Sequence, residues 1–151
     1  MIEVEHTLEI GRPLDDVFEY LTDVSRLPEW QSSAESAELE GELRKGARIT
    51  EVRTFMGRRA TSILEVSEYV PPSRFSLHVV EGPIRYSVEH ALEALEDRTL
   101  VTFVGRGETK GVPRLMHGAV RRAVERQFVK DLELFKRNLE VPDTQPTSTL
   151  T

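Results

Sequence analysis

The sequence predicts an α+β domain in which one long C-terminal helix lies across an antiparallel sheet. Three observations predict it. Met116, Val120, Ala123, Val124, Phe128, Leu132, Phe135 and Leu139 recur at steps of three and four, which draws one apolar stripe along a helix. Residues 34–108 divide into runs of strand character separated by short turns rich in Gly, Pro and Asp. The order is one strand, two small helices, about six strands and one long helix, so the helices are segregated from the sheet rather than alternating with it.

Each element has a local reason. Ile2, Val4, His6, Leu8 and Ile10 alternate with Glu3, Glu5, Thr7 and Glu9, the period of a strand with one buried face, and Gly11 ends it. Pro13 opens a short helix carrying Leu14, Val17, Phe18 and Leu21. Asp15 and Asp16 fall in its first turn, where the helix dipole favours negative charge, and that explains the pair without chemistry. A second short helix from Thr22 or Asp23 carries Val24, Leu27 and Trp30 at steps of three, with Pro28 interrupting it.

Strands follow over Ala34–Leu39, Arg48–Met56, Ala60–Val70, Arg74–Val80, Ile84–Leu95 and Leu100–Glu108. Gly57 with Arg58 makes a tight reversal, Pro71 and Pro72 stop the ladder because neither donates to it, and Gly82 with Pro83 turns the chain again. Short connections imply antiparallel pairing. The long helix runs from Pro113, suited to a first helical position, to about Leu139, with Pro142 biasing Val141 out of helical geometry. Its length is roughly 40 Å. Arg122, Arg126, Lys130, Glu133 and Arg137 form its charged face, with Glu133 and Arg137 one turn apart.

Composition narrows the function. With 151 residues and 38% hydrophobic content the chain suits one domain, expected over residues 1–141, and the polar stretch 142–151 reads as a disordered tail. The net charge is −6 and no basic run exceeds two residues, so neither a nucleic-acid nor an anionic-membrane footprint is visible along the chain. No cysteine is present, which removes disulfides, thiol catalysis and cysteine metal sites. No signal-peptide pattern or integral membrane segment is expected, and a reducing cytoplasm is the default location. The histidines at 6, 78, 90 and 117 lack metal-ligand spacing, and there is no serine elbow or phosphate loop. Gly105, Gly107 and Gly111 lack nucleotide-binding spacing and read as bend and turn residues. No metal and no cofactor is expected.

Ile10-Gly11-Arg12-Pro13, Val17-Phe18, Tyr20-Leu21, Thr22-Asp23, Leu27-Pro28 and Glu29-Trp30, with the Glu68-Tyr69-Val70-Pro71-Pro72 turn, the Gly82-Pro83 hairpin and the closing helix, carry a resemblance. Over nearly all of the chain before the tail, the sequence resembles the START-like, Bet v 1-like (SRPBCC) superfamily that includes bacterial polyketide cyclase/dehydrase and lipid-transport proteins. The resemblance implies a helix-grip fold, in which a curved antiparallel sheet wraps around the long helix and encloses a pocket. Lipid carriers, hormone and quinone binders, cyclases and co-chaperone activators share that scaffold, and a fold does not choose among them.

Side-chain parity then nominates the inward polar groups. His6 shares the apolar face of the first strand, and Tyr86 and His90 share the face of Ile84, Val88 and Leu92. Either histidine reads as a core imidazole bonded to backbone or as a ligand contact; Tyr86 offers a polar handle on an apolar body. Phe75, Leu77 and Val79 point inward, which turns His78 to solvent. Over Arg48–Met56 two parities compete. If Ile49 and Phe55 face in, Glu51 and Arg53 face in with them, and if Val52 and Met56 do, the pair is solvated. Trp30 is an anchor or a ligand platform, and His117 looks into the pocket mouth or caps its rim.

The expected function is binding or transport of one small hydrophobic molecule (lipid, isoprenoid, quinone or polyketide-like) between sheet and helix. The alternatives are an aromatase/cyclase-type enzyme moving protons through Glu51, Arg53, Tyr86 or His90, for which no catalytic signature stands in the sequence, and a protein-interaction module. The candidate ligand-binding residues are His6, Trp30, Glu51, Arg53, Tyr86, His90 and His117.

Overall fold

The computed structural model describes residues 1–55 and 57–141. Seven strands, β1 (Ile2–Ile10), β2 (Ala34–Glu40), β3 (Arg48–Phe55), β4 (Arg58–Val70), β5 (Arg74–Glu81), β6 (Tyr86–Leu95) and β7 (Arg98–Gly107), form one antiparallel sheet in the order β1-β7-β6-β5-β4-β3-β2. Strands β2 to β7 are a meander because each connection is too short for a crossover, and β1 closes beside β7 with Ile2 opposite Gly107. Met56 and the expected tail at 142–151 lie outside the described residues.

The sheet bends where its register slips. Irregularities fall between Ile63 and Leu64 and between Val66 and Glu68 in the 13-residue β4, and between Ala34 and Ser36 in β2. An extra residue on one strand of a pair increases local twist and bend. The result is a concave face that wraps the long helix, the helix-grip arrangement.

Helix α1 (Leu14–Thr22) follows β1, and a 3₁₀ helix over Val24–Glu29 follows it. The steps of three between Val24, Leu27 and Trp30 are the period of that tighter helix, which also tolerates Pro28 inside it. Trp30 is 3% exposed, with its ring 4.7 Å from Phe135 and 6.3 Å from Phe103 between centroids. These edge-on contacts tie the small helices to the closing helix.

The long helix differs from expectation at its start. Pro113 has ψ 140°, an extended value, and precedes a 3₁₀ turn over Arg114–Met116; α2 proper is His117–Glu140, roughly 36 Å long. Its ion pair one turn apart is Lys136–Glu140 at 3.0 Å, and Glu133–Arg137 does not form. The stripe is also used unevenly. Its buried members are Asp131, Leu132, Phe135 and Leu139, all in the second half.

That second half is fastened. The amide of Gly11 donates to Glu140 Oε2 at 2.7 Å, Arg12 Nη1 donates to the Leu139 carbonyl at 2.7 Å, and Asn138 donates to the Tyr20 hydroxyl at 2.9 Å. The Arg12 contact supplies a partner to one of the carbonyls that every helix C-terminus leaves open. The first half stands away from the sheet, and a cavity fills the gap. Where β7 passes closest to it, residue 105 is glycine: a Cβ there would lie 3.2 Å from Phe128 and 3.4 Å from Val4.

Candidate functional site

The cavity lies between the concave face and the first half of α2, with a volume of about 1410 Å³. That exceeds the usual range for small-molecule pockets, about 300–1,000 Å³, so there is room for a long chain or several fused rings. Most of its wall is apolar, including Leu64, Phe75, Leu77, Phe103, Phe128 and Leu132. Polar side chains gather at a few points.

The principal group joins β3, β6 and the segment before β2. Glu51 on β3 is 3% exposed and points inward beside Ile49, which settles the orientation of this strand. Arg53, two residues on, shares its face. Arg53 Nε donates to Glu51 Oε1 at 3.1 Å and Nη2 donates to Oε2 at 2.7 Å, a bidentate pair. From β6, across the curve of the sheet, the Tyr86 hydroxyl donates to the same Oε1. The arginine reaches further, Nη1 to Ser33 Oγ and Nη2 to Gln31 Oε1 in the segment before β2.

Burial alone would lower the pKa of Arg53, but the Glu51 carboxylate outweighs it and holds the guanidinium above its ordinary value. Burial, with the charge of Glu51 added, raises the Tyr86 phenol well above its ordinary value. The guanidinium is thus charged and the phenol protonated. Of the five N–H groups of Arg53, four are engaged, which leaves one on Nη1 without a partner among the described residues. Replacing Tyr86 with phenylalanine is expected to cost about 1 kcal/mol, since Glu51 keeps both arginine bonds; urea denaturation checks it.

Asp131 from α2 is a second polar point, 9% exposed. Gln127 Nε2 donates to its Oδ1 at 2.8 Å, and the Ser32 amide and hydroxyl approach the same oxygen at 3.4 Å. Burial raises its pKa, with Gln127, Ser32 and the charge of Arg53 acting in the other direction. His90 is the third. Its Nδ1 lies 2.7 Å from the Phe75 carbonyl, which can only accept, so Nδ1 carries the proton and Nε2 the lone pair. The ring stacks on Phe75 at 5.7 Å and meets Phe103 edge-on at 5.0 Å. Burial pushes its pKa down to about 4, so the ring is neutral near neutrality.

The whole of this architecture, residues 1–140, matches the family model described as polyketide cyclase / dehydrase and lipid transport. The chain belongs to that family. Among solved structures, a START superfamily protein from Mycobacterium smegmatis superposes with a TM-score of 0.74 at 17% identity, covering 92% of this chain and 99% of that one. The Zhui aromatase/cyclase from Streptomyces sp. R1128 gives 0.73 at 22% identity, covering 91% and 93%, and Ara h 8.0201 gives 0.70 at 16% identity, covering 91% and 96%. At these identities the likeness carries the helix-grip fold and nothing finer. Curated protein sequences gave no significant match.

Within this family's cavity the structure brings together Trp30, Glu51, Arg53, Tyr86 and His90 from the sequence candidates. Trp30 forms wall chiefly through its ring, and its buried Nε1 has no hydrogen-bond partner among the described residues. His6 and His117 are not in the cavity lining. His6 is half-buried on the inner face of β1, at the sheet edge, opposite Phe103. His117 Nε2 donates to the Val112 carbonyl at 2.9 Å and so holds the start of α2 to the turn before it. Gln31, Ser33 and Asp131 were missed. Asp131 had a signal, because it lies three residues after Phe128 and four before Phe135, on the apolar stripe itself.

Proposed function

We propose that the protein binds one neutral, largely apolar molecule in this cavity and holds a single oxygen of it at the Arg53 end. The observation that carries this reading is the state of the polar network. Glu51 already accepts three hydrogen bonds, Arg53 is neutralised by it, and one N–H remains. The network itself therefore has no net positive charge left to hold a buried anion, and the Asp131 carboxyl adds none; Arg58, Arg85 and Lys110 also line the cavity, but as exposed side chains. A carbonyl or hydroxyl oxygen on an apolar body matches what is left. Apolar burial would supply most of the affinity, at about 25 cal/mol per Å² before ordering costs.

A lipid, an isoprenoid, a quinone and a reduced polyketide all meet this description, and transport or storage needs no further group. The family also contains cyclases. An enzyme of that type needs a base free to take a proton, and Glu51 is committed to Arg53 and Tyr86, which favours the carrier reading over the cyclase one. The titratable wall groups with an open lone pair are His90 at Nε2 and Asp131 at Oδ2. A cyclase would lose turnover and keep affinity on His90→Gln, whereas a carrier has only affinity to change.

Native mass spectrometry of the protein from its own host, followed by denaturing extraction, tests the proposal. A neutral apolar passenger at one per chain is expected. An empty protein whose melting temperature is unmoved by a panel of lipids, quinones and aromatic polyketides would overturn it.

A further inference from the structure

The end of the molecule at which the cavity opens carries a surface of its own. Three connections and the chain start meet there: the β3–β4 reversal, the β5–β6 loop, the segment from Glu108 to Met116, and Met1, whose amino group lies 3.4 Å from Thr109 Oγ1. The Glu108 amide donates to the Arg85 carbonyl at 3.1 Å, which places two of these segments side by side. Six large apolar side chains are exposed among the described residues, and four are here: Leu115 at 100%, Met1 at 80%, Met116 at 50% and Ile84 at 47%. Ile84 and Met116 also line the cavity, so apolar surface runs from its wall out to the tips.

Around those tips stand Arg58, Arg85, Lys110, Arg114, Arg121 and Arg122, none of which makes an ion pair among the described residues. Arg59 and Arg106 join them but are paired with Glu35 and with Glu3 and Glu89. The exposed carboxylates nearby are Glu3 and Glu35, which are paired, and Glu81, Glu108 and Glu125, fewer than the cations. This is a cationic rim on a chain whose net charge is −6. No carboxylate occupies the first turn of α2, while Arg114 precedes the helix and Arg121 and Arg122 follow one turn in, near the end where the dipole favours anions. The buried Glu51–Arg53 pair does not call for these cations, since its own charges balance.

We infer that this end docks on the surface of an anionic lipid bilayer. Protruding apolar tips ringed by unpaired cations fit a flat, negatively charged interface with an apolar layer beneath it. Charge complementarity selects the anionic surface, and the continuity of Ile84 and Met116 with the cavity wall gives an apolar ligand a way in that avoids water. The use of docking for exchange rests on the ligand-binding reading above; docking itself does not. The cations come from separate segments of the chain, so no basic run in the sequence marks them.

Co-sedimentation with phosphatidylcholine vesicles, with and without phosphatidylglycerol, tests the inference. Binding is expected only to the anionic vesicles and should weaken as salt is raised. Arg121→Gln with Arg122→Gln is expected to reduce partitioning roughly thirty-fold, and Leu115→Ser by roughly tenfold. All three positions are exposed, and passenger content measured on the same samples should stay at the wild-type level. Absence of binding, equal binding to neutral vesicles, or variants that bind as wild type would overturn docking, as would preferential capture of an acidic protein over vesicles. An empty protein that still binds anionic vesicles would overturn the ligand reading alone.

Discussion

Replacing Arg53 with methionine is expected to destabilise the protein by about 3–5 kcal/mol, while the double change Glu51→Gln, Arg53→Met costs less than that single change. The reason lies in what each variant leaves behind. Glu51 is 3% exposed, and without Arg53 its described donors fall from three to the Tyr86 hydroxyl alone. A carboxylate stripped of its counter-ion in a closed wall costs far more than a neutral amide at the same place. Taking out both charges removes the pair's attraction and its desolvation penalty together. Urea denaturation of the two single variants and the double variant closes the cycle, and a coupling of about 0.5–3 kcal/mol is expected. A cost below about 1 kcal/mol for Arg53→Met would mean that water reaches Glu51, and the polar end of the cavity would not be dry. Passenger binding separates function from stability. The double variant keeps the apolar wall, so it should still load, with affinity down by roughly tenfold for the lost hydrogen bond to a charged donor.

Much of this architecture was legible because strands report parity. Alternation placed Val4 and Ile10, Phe75, Leu77 and Val79, and His90 and Leu92 on the inner face, and all of these are buried. The turns, the antiparallel pairing of consecutive strands and the two small helices followed from Gly, Pro and spacing; the pairing of β1 with β7 did not. The orientation of Glu51 and Arg53 did not, for a definite reason. Ile49 on one face competes with Val52 on the other, so the pattern ties, and the tie is broken by pairing, with Glu51 between Ala37 of β2 and Ser62 of β4. The stripe on α2 misled in a different way. Periodicity identifies an apolar face but not what it touches, and Val120, Val124 and Phe128 line a cavity, Leu132 is a buried part of its wall, and Phe135 and Leu139 are packed core. Asp131 stands at the boundary between the two. The cationic rim was illegible because it is assembled from separate stretches of the chain.

Between pH about 6.5 and about 4 the protein is expected to lose about 3 kcal/mol of stability through His90 alone. The folded-state pKa of this imidazole is down at about 4, because burial disfavours its charged form. The unfolded chain keeps the ordinary value of about 6.5. Above that value the ring is neutral in both states and contributes no pH dependence. As pH falls below it, the unfolded chain takes up a proton that the folded one refuses, so unfolding gains. The loss grows until about pH 4, where the folded state also binds the proton and the curve levels. Carboxylates titrate in the lower part of this window, so the test is a difference. His90→Gln can still donate to the Phe75 carbonyl but cannot titrate, and its stability should fall less steeply than wild type over the same range. Parallel curves would mean that the ring is already protonated or hydrated in the folded state. Steeper loss in the wild type fixes His90 as a neutral side chain, and the Phe75 carbonyl against Nδ1 sets its tautomer. Its Nε2 is then an acceptor for a ligand hydroxyl throughout the neutral range, complementary to the single donor that Arg53 holds open.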